Sequence, residues 1–65
     1  MKNFAIIDAN NNQVVKTISA GNGKSALRQF RNLFTATGMY EIHKVLNIWT
    51  LSSSYGAYFV AKEVK

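Results

Sequence analysis

The segment Lys24-Ser-Ala-Leu-Arg-Gln-Phe-Arg-Asn-Leu-Phe34 constrains this chain most, because its residues sort by helical period into two stripes. At about 100° per residue, Ala26, Leu27, Phe30, Leu33 and Phe34 fall within one arc of roughly 120°. Lys24, Arg28 and Arg31, spaced i, i+4, i+7, fall on a neighbouring arc, with Asn32 and Thr35 beside them. One stripe can anchor a core while the other presents cations to solvent.

The chain has 65 residues and no cysteine. A domain of this size buries only about 60% of the surface its unfolded chain exposes. Disulfides and thiolate zinc sites, two usual remedies, are closed to it. Self-association is therefore expected. Eight Lys and Arg stand against three acids (Asp8, Glu41, Glu63), a net charge of +5. That balance favours a polyanionic partner. The N-terminal apolar run is interrupted by Asp8 and by Asn10 to Asn12, and no stretch approaches the ~20 apolar residues of a membrane span. A cytoplasmic protein with no membrane partner is the expectation.

Asn3 to Asp8, with Phe4 to Ile7 in succession, reads as a first strand, and Gln13 to Ser19, rich in β-branched residues, as a second. Ala9-Asn-Asn-Asn12 between them signals a turn, because Asn tolerates positive φ. A turn centred on Asn10 and Asn11 puts positions summing to 21 opposite one another. Phe4, Ile6, Val15 and Thr17 then share one face, and Ala5, Ile7, Val14, Lys16 and Ile18 the other. Both faces are apolar, and one helix covers only one of them. Asn22 is the expected N-cap of a helix reaching about Ala36 and stopping at Gly38.

Tyr40 to Leu51 fits a helical face through Ile42, Val45, Leu46 and Trp49, yet its residue types favour a strand. It is read as one long strand carrying Tyr40, Ile42, Leu46 and Ile48 on one face. A hairpin loop, Ser52-Ser-Ser-Tyr-Gly56, then leads to a last strand, Ala57 to Ala61. The expected fold is α+β, a single domain over residues 1–65, with an antiparallel sheet in ββαββ order packed by one amphipathic helix.

Chemistry is sparse. Gly23-Lys24-Ser25 resembles the end of a phosphate-binding P-loop, but the glycine required five positions earlier is Ile18. What remains is a helix start that can accept one phosphate beside Lys24. His43, the sole histidine, has Glu41 two residues away and no further ligand or base nearby in sequence. No catalytic constellation can be assembled, so the chain is read as a non-enzyme needing no metal or cofactor. Tyr40, Trp49, Tyr55, Tyr58 and Phe59 crowd the C-terminal half. Interleaved with Lys44 and Lys62 they can stack bases of single-stranded nucleic acid, although burial against the helix and a second subunit accounts for them more simply.

Three cations one helical turn apart span ~10 Å, enough for two or three successive phosphates. The expected site is therefore Lys24, Arg28, Arg31 and Asn32 on the helix, widened by Lys44 and Lys62. Gln29 can add hydrogen bonds, and Lys2, Lys16 and Lys65 enlarge the field. The leading expectation is a small basic homodimer that binds nucleic acid, DNA ahead of RNA, through phosphate contacts. The rival is a protein-interaction module docking on an acidic protein surface, a regulator or inhibitor of the kind mobile genetic elements encode.

Overall fold

The structure, a computed structural model, describes residues 1–33 and 40–64. Its elements are β1 (Lys2–Asp8), β2 (Gln13–Ala20), α1 (Gly23–Arg31), β3 (Tyr40–Val45), β4 (Ile48–Ser53) and β5 (Tyr58–Val64). The five strands form one antiparallel sheet in the order β2-β1-β5-β4-β3. The α+β class holds, but the element order is ββαβββ. With every neighbouring pair antiparallel, β2 and β3 run in the same direction at opposite edges. The connection between them must cross the sheet, and α1 accordingly packs on all five strands.

The extra strand arises at Leu46-Asn47, where the single long strand expected over 40–51 folds back on itself. Both residues have positive φ (50° and 66°), and the flanking Val45 and Ile48 pair. Consecutive left-handed residues make the tight hairpin turn that matches strand twist. Asn suits that conformation; Leu does not, at a cost of about 1–2 kcal/mol. Leu46 is 90% exposed. Folding back also resets the alternation of faces. Tyr40 and Ile42 lie on the helix side with Trp49 and Leu51, whereas Ile48 lies on the opposite side with Val45.

In the first hairpin the turn is the expected one. Asn12 takes a positive φ of 61°, its N–H donates to the Asp8 carbonyl (2.7 Å), and Asp8 Oδ1 accepts from the Asn10 N–H (2.9 Å). Next to the turn the pairs Ile7–Val14 and Asp8–Gln13 keep the expected register. A bulge between Ile6 and Ile7 then shifts it by one, so that Ile6 pairs with Lys16 and Phe4 with Ile18. The extra residue moves Ile18 to the face of Phe4 and Ile6. The three contribute together to the core.

Asn22 caps α1 as expected, its Oδ1 accepting from the Ser25 N–H at 2.8 Å. The helix ends at Arg31, earlier than expected. The Leu33 N–H bonds to the Phe30 carbonyl (3.1 Å), an i→i+3 tightening of the final turn. Asn32 there is a residue type that competes with the helical ladder. Leu33, expected in the core, is 61% exposed. The expected contributions of Phe34, Thr35, Ala36 and Gly38 lie outside the described residues, as does Lys65.

Ala26, Leu27 and Phe30 of α1 close on Phe4, Ile6, Ile18, Ala20, Tyr40, Leu51 and Ala61. Phe30 meets Phe59 edge-on, ring centroids 5.0 Å apart. Phe59 and Tyr58, adjacent on β5, point to opposite sides of the sheet. That strand is central, hydrogen-bonded to β1 and β4. Residues on the far side of the sheet from α1 include Ile7, Val14, Val45, Ile48, Tyr58, Val60 and Val64. No element of the described residues covers them. Thr50 lies in their midst, nearly inaccessible, with its hydroxyl donating to the His43 carbonyl (2.9 Å).

Candidate nucleic-acid interface

The structure gathers two of the expected basic residues around one aromatic ring. Lys24, in the first turn of α1, and Lys44, on β3, place their ammonium groups 5.7 and 5.5 Å from the centre of the Trp49 ring. Both fall within the ~6 Å reach of a cation–π attraction. Lys44 arrives there because it is the cross-strand partner of Trp49. Lys24 arrives because Gly23 lets the helix settle directly on the indole: a Cβ at Gly23 would stand 2.9 Å from Trp49 Cδ1.

The helical wheel extends this patch. The Gln29 side chain reaches the Ser19 carbonyl on β2 (3.4 Å), so that flank of α1 faces β2. Lys24 faces β4 from the other flank. Arg28 and Arg31 lie within ~40° of Lys24 about the helix axis, hence on the Trp49 flank. Arg28 is exposed; Arg31 is half-buried, and its Nε has no hydrogen-bond partner among the described residues. Both also sit in the last turn, where a cation is stabilised by the helix dipole. Asn32 is exposed at the C-cap, and its backbone N–H closes the helix onto the Arg28 carbonyl.

Lys62 departs from the expected cluster. It follows the core residue Ala61 on β5, so its side chain leaves from the opposite face of the sheet. It nevertheless lines an open cleft of ≈ 270 Å³ beside the start of β4, together with Phe4, Gly23, Trp49, Ala61 and the acidic Glu63. Lys2 is engaged with Glu63 (3.7 Å), the one ion pair among the described residues. Lys24, Arg28, Arg31 and Lys44 therefore form a cationic surface with no carboxylate in contact.

The helix start is less open to an anion than the sequence suggests. Asn22 already accepts from the Ser25 N–H through its side chain and from the Ala26 N–H through its carbonyl. His43 and Glu41 share the face away from α1, both exposed. Among the described residues no three His, Cys, Asp or Glu side chains converge to hold a metal.

One polar pair was not foreseen from the sequence. The Tyr40 and Tyr55 hydroxyls hydrogen-bond at 2.7 Å, with rings edge-to-face at 6.0 Å, tying the β4–β5 loop to the start of β3. This hydrogen bond, then burial, raises the Tyr40 phenol above its usual pKa. Also unforeseen was Trp49 as the link between Lys24 and Lys44. Its only sequence signal is Lys44 placed symmetrically with Trp49 about Leu46-Asn47, which is readable once that pair is known to be a turn.

No helix among the described residues is long and apolar enough to cross a membrane. No protein-family model matches this chain, and no curated protein or solved structure matches it.

Proposed function

We propose that this chain is a small, non-enzymatic nucleic-acid-binding protein that holds phosphates on the basic flank of α1, with DNA ahead of RNA. The observation that carries the reading is the set Lys24, Arg28 and Arg31 on one flank of α1, with Lys44 of β3 meeting Lys24 at Trp49, all free of carboxylate contacts among the described residues. Unneutralised cations fixed on a rigid element release counterions from nucleic acid on binding. Asn32 at the end of the stripe adds a polar contact, and Lys62 extends the field from the cleft. The test replaces Lys24, Arg28 and Arg31 by Gln, a good helix former. The logarithmic salt slope for duplex DNA should fall by about 0.9 per lost contact, up to ~2.7 for all three. A variant with the parent's affinity and salt slope would remove α1 from the account.

A second reading rests on the far face of the sheet. Its exposed Val14, Val45, Ile48 and Val64 favour a protein-interaction module, a regulator or inhibitor of mobile-element type. Its basic flank would then dock on an acidic protein. That reading forecasts weak, featureless DNA binding and loss of one specific protein complex in the same triple variant.

A further inference from the structure

We propose that the Lys24–Trp49–Lys44 cluster is a base-stacking site, so that the nucleic acid this protein takes is single-stranded. The inference rests on the nucleic-acid reading above and adds the form of the polymer.

Trp49 packs against the core yet keeps a part of its surface exposed. Its ring is held from behind by Gly23, whose missing side chain leaves no room between helix and indole. An aromatic ring fixed in this way is a platform rather than a hot-spot for collapse. Two ammonium groups converge on it, and among the described residues no carboxylate neutralises either. An anion beside the ring would meet both ammonium groups.

The adjoining cleft sets the size of what enters. At ≈ 270 Å³ it falls just below the ~300–1,000 Å³ of a pocket for a drug-sized ligand, and it is open to solvent. A flat, partly apolar group laid on Trp49 and reaching toward Phe4 and Ala61 fits it, and the one carboxylate of the cleft, Glu63, is already engaged by Lys2. A nucleobase whose strand runs past the ring has that shape. A base stacking on the indole displaces an ammonium, which then meets the flanking phosphate. Bases inside a duplex have both faces covered by their neighbours and offer only edges, whereas single strands expose the π-face. A phosphate stripe alone would serve either form; the ring beside it favours the single strand.

Trp49 is the only tryptophan, so its fluorescence reports the site directly. The probes are oligothymidylate of about 12 nucleotides, within the ~4–16 nucleotides usual for one small binding fold, and a duplex of the same length. Oligothymidylate should quench the fluorescence and bind more tightly than the duplex. By anisotropy of a labelled strand, Trp49→Ala should weaken oligothymidylate binding roughly 5- to 100-fold, with duplex binding little changed. Trp49→Phe keeps a ring and should retain most of the affinity, and the quenching measurement on the parent stands even if Trp49→Ala fails to fold. Duplex binding without quenching or preference for the single strand would overturn the stacking site and leave the phosphate-binding reading standing. Equal affinity and equal quenching for both forms would overturn the preference. Failure of both probes to bind at low salt would overturn both proposals.

Discussion

Gly23 and Trp49 meet across the helix–sheet boundary so closely that a Cβ on the glycine would lie 2.9 Å from the indole Cδ1 and 3.2 Å from Trp49 Cβ. This contact sets the height of α1 above β4. It also brings Lys24, the next residue, to the ring. Helix seating and the assembly of the basic patch are thus one event.

Gly23→Ala should therefore destabilise the protein although alanine is the better helix former. Neither the ring stem nor the backbone beneath it can yield freely, and overpacking of this kind costs about 1–3 kcal/mol. In a domain of this size that lowers Tm by at least roughly 4–8 °C. Gly21 has open space around its Cβ position and no positive φ. Gly21→Ala should be neutral or stabilising by up to ~1 kcal/mol. Thermal melts of the two variants check the contrast, and equal Tm values would refute the close approach.

Phe30→Ala removes a ring that packs edge-on against Phe59 in a core with little redundancy. A loss of about 3–5 kcal/mol is expected, enough to unfold a domain whose total stability is of that order. Leu33→Ala, by contrast, should change stability by less than ~1 kcal/mol, because that side chain stands largely in solvent. Denaturant titration distinguishes them; similar midpoints would mean the helix phase is misassigned.

The Tyr40–Tyr55 pair makes a forecast in pH. The folded state holds the Tyr40 phenol above its ordinary value of 10.0, chiefly through the Tyr55 hydrogen bond. A raised folded-state pKa favours the protonated form in the native state. Its contribution is complete below pH ~10 and is lost as pH rises through the raised value. Tyr40→Phe should lower stability slightly near neutrality, where the hydrogen bond is lost, and show a shallower loss of stability above pH 10. Parallel alkaline declines for parent and variant would exclude the pair as their source.

Self-association should run through the far sheet face, where Val45, Ile48, Tyr58 and Val60 offer an uncovered apolar surface. Sedimentation at tens of micromolar, a range set by ordinary interface affinities, should show a dimer. Because each copy carries +5, added salt should leave that dimer unchanged or strengthen it, opposite to its effect on nucleic-acid binding. Ile48→Lys should shift the equilibrium to monomer. A clean monomer in the parent would end the claim and leave this face to a different partner.

Local chemistry was readable directly. The 3.6-residue period placed α1 as far as Arg31, with Ala26, Leu27 and Phe30 on its buried stripe, though not Leu33; Asn22 announced the cap, and Asn10 to Asn12 the first turn. Each depends on residues within a few positions of one another, where backbone preference and side-chain spacing act without the rest of the chain. The turn at Leu46-Asn47 was hidden because leucine ordinarily avoids positive φ, and only pairing of β3 with β4 and of β4 with β5 repays that strain. The bulge after Ile6 was hidden for a similar reason: an alternating pattern permits either register, and the helix selects the one that buries Ile18 with Phe4. The basic patch divides in the same way. The spacing of Lys24, Arg28 and Arg31 is a property of one helix and was visible in the sequence. The meeting of Lys24 with Lys44 at Trp49 joins residues 20 and 25 positions away from Lys24 along the chain, and it required the crossover of α1 onto a sheet whose strand order no local preference determines.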